Sequence, residues 1–396
     1  MIETKFKQTE LGLVPKAWGT PTIDELIVAM NDGPFGTKLK QEHYTTKREV
    51  RIVQLGNIGE NGWNDSNVKY TTFEYAKVLS SHLVNPGDVL IAKMMPAGRS
   101  IICPNHEACF IQGSDAIKVR FNDSINTKYF IYGTKSCEYL RIIEENTQGS
   151  TRQRISLTKY RTLPFIVPPI EEQVRIAEAL SDVDKLIREL DTLIEKKRSI
   201  MQGTMQELLT AHCRLPGFVH PWRNTLVEKC CKITTGESNT QDQIESGIYP
   251  FYIRSATVMR SNSYIFDCEG VITIGDGQIG KVFHYVNGKF DLHQRCYLMY
   301  DFDDVDAKFF YFLFSFFFYN RVIALSAKAT VDSVRRNMIA KMKINIPSTM
   351  QEQKAIANIL SDMNDGIEAI EAKRDKYIAV RQGMMQQLLT GKIRLI

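Results

Sequence analysis

Two stretches of the chain carry apolar residues in alternating steps of four and three. In the first, Ile176, Leu180, Val183, Ile187, Leu190, Ile194, Met201 and Leu208 hold the pattern, with Lys197 and Thr204 as the polar exceptions. In the second, Ile356, Leu360, Met363, Ile367, Ile370, Tyr377, Met384 and Leu388 hold it, with Arg374 and Arg381 as exceptions. A period of about 3.5 residues sustained over roughly four heptads is the mark of a coiled-coil seam. Each stretch predicts a helix of roughly 38 residues, about 57 Å long at 1.5 Å per residue. Such a helix alone would leave its stripe in water, so the two are expected to pair. Pro168-Pro169 precedes the first, with Glu171 and Glu172 where the helix dipole favours acids. After Pro347, Thr349-x-x-Glu352 opens the second as a capping box.

The two stretches are copies. Glu172-Gln173-x-x-Ile176-Ala177-x-x-Leu180-Ser181-Asp182 returns from Glu352 to Asp362, and Gln202-Gly203-x-Met205-Gln206-x-Leu208-Leu209-Thr210 returns from Gln382 to Thr390. Arg214-Leu215 returns as Arg394-Leu395. The displacement is constant, with about 18 of 44 positions identical, and far longer than a solenoid period. Between the copies the match is faint. Tyr139-x-Arg141 answers Tyr319-x-Arg321, Gly98-Arg99 answers Gly280-Lys281, and Trp18 and Trp222 open the two units. The chain therefore reads variable, repeat, variable, repeat.

The variable segments predict mixed domains rich in β structure. Val89-Leu90-Ile91-Ala92 and Val271-Ile272-Thr273-Ile274 are short apolar strands, and Asp32-Gly33, Asn61-Gly62, Asp276-Gly277 and Asn287-Gly288 are turn signals. A helix is expected near residues 126–145 and another near 306–325. The expected class is α+β: two mixed α/β domains, 1–169 and 213–347, separated by two long antiparallel helices, 170–212 and 348–396, with a pseudo-twofold internal repeat.

Composition narrows the class. The chain has 396 residues, 43% hydrophobic and 24% charged, which excludes a collagen-like or largely disordered chain. The apolar run from Phe309 to Phe318 falls well short of the roughly 20 residues that span a bilayer, and Lys308 and Arg321 flank it. It reads as a buried helix, in a soluble cytoplasmic protein with no membrane partner and no leader. The eight cysteines form no Cys-x-x-Cys pair and read as free thiols.

The net charge of +5 is modest, but the two repeats together carry about −1, so about +6 sits in the variable segments. Basic and amide side chains gather near glycine-rich turns. After Gly33-Pro34-Phe35-Gly36 come Lys38 and Lys40, then Lys93, Arg99, Arg152, Gln153 and Arg154; the second unit offers Arg254, Gln278, Lys281, Lys328, Arg335 and Arg336. Arg and Gln reach two atoms of a base edge and Lys neutralises phosphate, so these residues are candidates for contact with double-stranded DNA.

Catalytic apparatus does not accompany them. The one Pro-Pro, in Val167-Pro168-Pro169-Ile170, lacks the preceding amide and following aromatic of an adenine methyltransferase tetrad. Gly275-x-Gly277-x-x-Gly280 matches a dinucleotide fingerprint, but Lys281-Val282-Phe283-His284-Tyr285-Val286 alternates like a strand, so a phosphate would meet no helix N-terminus. A Gly-x-x-x-x-Gly-Lys-Ser/Thr loop is absent. Cys103-x-x-His106-x-x-Cys109 lacks an evident fourth ligand, so no metal site is assigned. The chain reads as a recognition protein and not an enzyme.

The repeated Glu-Gln-x-x-Ile-Ala-x-x-Leu helix start, the repeated Gln-Gly-x-Met-Gln-x-Leu-Leu-Thr helix end, and the openings Gly12-Leu13-Val14-Pro15-x-x-Trp18 and Leu215-Pro216-Gly217-Phe218-x-x-x-Trp222 resemble the specificity (S) subunit of type I restriction–modification systems. The likeness covers essentially the whole chain; Pro347-Ser348-Thr349 departs from it by lacking the double proline. It implies two target-recognition domains, each reading half of a bipartite DNA site. It also implies two modification subunits carrying S-adenosylmethionine for adenine methylation, restriction subunits using ATP and Mg, and no cofactor in this chain. A type IIB-like specificity subunit and a scaffold that does not bind DNA are the alternatives the sequence leaves open.

Overall fold

A computed structural model describes residues 5–34, 38–60, 62–107, 109–149, 153–326 and 333–396. The chain divides into two compact units: residues 1–189 with 374–396, and residues 190–373.

Unit 1 begins with a hairpin of β1 (Phe6–Thr9) and β2 (Gly12–Pro15). Eleven short strands follow: β3 (Ile27–Asp32), β4 (Tyr44–Thr45), β5 (Val50–Val53), β6 (Ile58–Gly59), β7 (Gly62–Trp63), β8 (Tyr70–Thr71), β9 (Leu83–Val84), β10 (Val89–Ala92), β11 (Ser100–Ile102), β12 (Phe110–Gln112) and β13 (Ala116–Phe121). They build a four-stranded sheet in the order β11-β10-β13-β3 and a five-stranded one in the order β4-β8-β5-β12-β9. All four residues of β10 are buried, which is why this strand reads as a continuous apolar run. Helix α1 (Phe73–Val78) lies between strands, and α2 (Thr127–Gly133), α3 (Cys137–Glu145) and α4 (Leu157–Arg161) follow them. The single helix expected over 126–145 is thus two. Ser136 caps α3 by accepting from Tyr139 N, and a Cβ on Gly133 would meet the Phe165 ring at 2.4 Å, so the chain is pinned and redirected there.

The helices α5 (Ile170–Leu209) and α8 (Met350–Leu388), which we number with those of unit 2 below, are the two predicted rods. In unit 1 the first turns of α5 pack on the last turns of α8: Ile176, Ala177 and Leu180 share a core with Met384, Leu388 and Leu389. In unit 2 the reverse ends meet, Leu208 and Leu209 with Ile356, Ala357 and Leu360. The helices are therefore antiparallel. Every apolar seam position is buried or half-buried, including Val183, Ile187, Leu190, Ile194, Met201, Met363, Ile367, Ile370 and Tyr377. Of the exceptions, Lys197 is exposed, whereas Arg381 lies against Asp184 at 2.5 Å.

Unit 2 has β14 (Arg223–Leu226) paired with β21 (Lys343–Ile346), and a six-stranded sheet. That sheet orders β15 (Lys232–Thr235), β20 (Cys296–Tyr300), β18 (Phe266–Ile274), β19 (Phe283–Leu292), β16 (Tyr249–Tyr252) and β17 (Met259–Ser261) side by side. Helices α6 (Ala307–Ser326) and α7 (Arg336–Ala340) complete it. Phe309, Phe310, Phe314 and Phe318 are fully buried, so the apolar run forms the unit's core. By length and composition α6 is the one helix among the described residues that could cross a membrane. Asn287-Gly288 is not the turn expected. It lies inside β19, where Gly288 at φ 104° pairs with Cys268 without a register shift, because the long β18 ladder continues on both sides.

Equivalent glycines follow β3 in the four-stranded sheet of unit 1 and β15 in the six-stranded sheet of unit 2. A Cβ on Gly33, after β3, would sit 1.9 Å from Gly113 O, and one on Gly236, after β15, 1.9 Å from Leu292 O. The repeated Glu-Gln pairs clamp each unit. Glu172 accepts from Trp18 Nε1 at 2.9 Å and from Arg394 Nε and Nη2 at 2.7 Å each. Glu352 accepts from Trp222 Nε1 at 3.2 Å and from Arg214 Nε and Nη2 at 2.6 and 2.8 Å. The capping box expected at Thr349 is thus half present: Thr349 Oγ1 accepts from Glu352 N at 3.4 Å, but the Glu352 carboxylate is turned to Arg214. Gln173 accepts from Asn126 N and donates to Ser124 O and Pro168 O; Gln353 repeats this with Asp306 N, Asp304 O and Pro347 O.

Candidate nucleic-acid interface

In unit 1 the chain leaves β10 into a turn that ends at Gly98 (φ 79°), backed by Tyr139, whose hydroxyl donates to Gly98 O at 3.1 Å. The segment before α4 lies across this turn: Ile155 N donates to Lys93 O at 3.0 Å, and Met94 bridges to Arg154. Arg99 and Arg154 thereby come to one turn, Arg154 exposed and Arg99 half-buried with its Nε on Pro96 O at 3.0 Å. Gln153 beside them is half-buried.

Unit 2 repeats the arrangement between β18 and β19. Gly280 (φ 69°) stands over Tyr319, Val334 N donates to Gly275 O at 2.7 Å, and Asp276 bridges to Ser333. Gln278, Lys281, Arg335 and Arg336 are exposed around this turn, with the Lys281 ammonium 5.5 Å from the Tyr319 ring centroid. The glycines of the fingerprint-like motif thus form a hairpin turn, and β19 follows where a nucleotide site would need a helix.

Arg254 is also here, donating from Nη1 to Asp276 Oδ2 at 3.2 Å. Arg295, which sequence reasoning missed, donates to the same oxygen at 3.0 Å. Both side chains remain substantially exposed, at 44% and 63%. Nothing in the local sequence joins them; only the parallel pairing of β16 with β19 brings their loops together. His293 sits buried beneath. Burial first, then the charge of Arg254, pushes its imidazole below the usual value, with Arg295 adding to the effect against Asp276.

Lys93 does not belong to the exposed set. It is 6% exposed, and its ammonium lies 2.7 Å from both carboxylate oxygens of Asp32, which tie it into the sheet and away from any phosphate. Lys38 and Lys40 are exposed, Lys40 within 3.8 Å of Glu42. Arg152 and Lys328 lie outside the described residues, as do Phe35, Gly36 and Asn61. Of the sketched metal cluster, His106 packs edge-on to Trp63 and Phe110, while Cys103 is buried, its thiol pushed up to about 12 by burial. All eight cysteines are free.

The family model of the type I restriction modification DNA specificity domain matches residues 15–197 and 224–378. A Methanocaldococcus jannaschii protein assigned as the MjaX type I restriction enzyme specificity subunit is 22% identical, over 99% of this chain and 97% of its own. The type I restriction–modification S subunit from M. genitalium has the same fold, with a TM-score of 0.68 at 16% identity, covering 94% of this chain and 96% of its own. A further solved chain, from a study of complex assembly in a type I restriction–modification system, gives a TM-score of 0.54 at 14% identity, covering 96% of this chain and 99% of its own. The repeated rods, the repeated clamps and the matched domains agree: this chain belongs to the family of type I restriction–modification DNA specificity subunits.

Proposed function

We propose that each unit reads one half of a bipartite duplex target through its glycine turn, and that the antiparallel rods set the number of unread bases between the halves. The observation that carries this reading is the repetition of one device: Gly98-Arg99 with Arg154, and Gly280-Lys281 with Arg335, each crossed by the segment that follows the helix behind it. The DNA contacts are Arg99, Gln153 and Arg154 at the turn of unit 1, with exposed Lys38 and Lys40 elsewhere in that unit, and Arg254, Gln278, Lys281, Arg295 and Arg335 around the turn of unit 2. Arg and Gln supply base-edge contacts, and Lys supplies phosphate contacts.

The chain works as the non-catalytic member of a cytoplasmic complex. Two modification subunits bring S-adenosylmethionine and methylate adenine in each half-site, and restriction subunits bring ATP- and Mg-dependent cleavage. Methylation mapping of DNA from cells with and without this subunit tests the reading. A bipartite motif lost with the subunit is the expected result. Replacing residues 18–167 by the corresponding domain of another family member is expected to change one half-site and leave the other intact. A change in both, or none, defeats the division of labour.

A further inference from the structure

The two units differ in one place where their repeat predicts likeness. In unit 1 the β1–β2 hairpin covers the end of α8. Leu11, 3% exposed, lies among Tyr139, Phe165, Ile166 and Leu389 and leaves only about 10 Å³ of space, and Arg141 Nη2 donates to Glu10 O at 3.0 Å. The same place in unit 2, found at the repeat displacement, is an open groove of about 570 Å³ lined by Leu209, Phe317, Arg321, Lys341, Lys343 and Ile344. No strand precedes β14 in unit 2 to fill it: the chain passes from the end of α5 to Trp222 without a hairpin. Trp222 is accordingly half-buried where Trp18 is 1% exposed.

The groove also carries charge that its covered twin has neutralised. Arg321 is the counterpart of Arg141, but the position of its partner Glu145 is taken by Leu325. Its Nε donates to Met338 O at 2.7 Å, and its terminal nitrogens have no partner among the described residues. Lys341 and Lys343 are exposed and in no ion pair among the described residues.

We propose that this groove of unit 2 docks a partner protein through an exposed turn in which an acidic residue precedes a leucine. The occupant is specified by unit 1, where the Glu10-Leu11 turn fills the equivalent space: the leucine enters between the end of α8 and the segment Pro164-Phe165-Ile166, and its preceding carbonyl meets the arginine. Three cations at the rim select the acidic side chain, which costs less to bring to a basic groove than to an uncharged one. The surface is distinct from the glycine turns proposed to read DNA, so either proposal can fail alone.

The test uses the full chain and, as probe, a cyclised peptide of residues 5–16 carrying Lys5→Gln, Lys7→Gln and Lys16→Gln, which leaves Glu10 as its one charged side chain, titrated by fluorescence polarisation. Saturable one-to-one binding is expected, weakened at least tenfold by Arg321→Ala and by Lys343→Glu, and abolished when the peptide's leucine corresponding to Leu11 is alanine. Lys343 is exposed, so its variant carries the test if Arg321→Ala does not fold. Absence of saturable binding at millimolar peptide overturns the proposal, as does binding indifferent to Lys343→Glu. Binding lost on Arg141→Ala instead would mean that the peptide displaces the chain's own hairpin, and also overturns it. Self-association of the chain that Lys343→Glu abolishes would assign the groove to a second copy and reject a foreign partner.

Discussion

Arg394 grips Glu172 through two parallel hydrogen bonds of 2.7 Å, across 222 residues of sequence. The Glu172 side chain is 4% exposed and that of Arg394 13%, so the pair is nearly sheltered from water, and the Trp18 indole N–H satisfies the carboxylate further. A buried pair adds little beyond an apolar substitute, but removing one partner leaves a buried charge unmatched. Glu172→Gln is therefore expected to cost about 3–5 kcal/mol. Denaturant unfolding measures this, and the double variant with Arg394→Met should recover a substantial part of the loss. Equal losses in the single and double variants would show that the pair is not coupled.

The same carboxyl makes a pH prediction. Burial tends to raise its pKa, but the hydrogen bonds from Arg394 and Trp18 and the charge of Arg394 outweigh this and hold it below the ordinary carboxylate value. A depressed folded-state pKa means that the unfolded chain binds the proton more readily. The stabilisation is therefore present above the unfolded pKa and lost as pH falls through the folded one. The stability difference between the native chain and Glu172→Gln should be constant near neutrality and shrink below about pH 4.5, the ordinary value of a glutamate carboxyl. A difference that grows on acidification would contradict this sign.

Surface cations and buried ones should separate cleanly in a salt titration of the assembled complex. Lys38→Ala and Lys281→Ala are each expected to lower the slope of log affinity against log salt by about 1, the signature of one lost phosphate contact. Lys93→Met should leave that slope unchanged and instead lower stability, because it strands the Asp32 carboxylate at the sheet end. A slope change for Lys93→Met would return that lysine to the interface.

These residues show what the sequence could and could not convey. The rods were legible because a seam repeats locally, and the second copy doubled the signal. Trp18, Glu172, Arg214, Trp222, Glu352 and Arg394 all stood out as repeated or opening residues. Their joining into two clamps did not, since each of these hydrogen bonds spans well over a hundred residues. Lys93 failed for a related reason. Beside a glycine turn it resembles a phosphate-binding lysine, and only the pairing of β13 with both β3 and β10 puts Asp32 against it. Arg295 was invisible because its neighbours in space belong to other loops.

Glycines provide the last prediction, because identical substitutions should have opposite signs. At Gly33 and Gly236 a methyl group would collide with backbone oxygens at 1.9 Å, and backbone cannot step aside as a side chain can. Alanine at either is expected to cost about 3 kcal/mol or more. Gly203 and Gly383 lie inside α5 and α8, and a Cβ at either meets nothing within 4 Å. Helical glycine is less favourable than alanine by about 0.8–1 kcal/mol, so Gly203→Ala and Gly383→Ala should stabilise the isolated chain by about that amount each. Thermal unfolding of the four variants decides the matter: Gly33→Ala and Gly236→Ala should fall below the native chain and the helical pair should rise above it. If the helical pair instead fell, the rods would have to hold a tight approach at Gly203 and Gly383 that this packing does not contain.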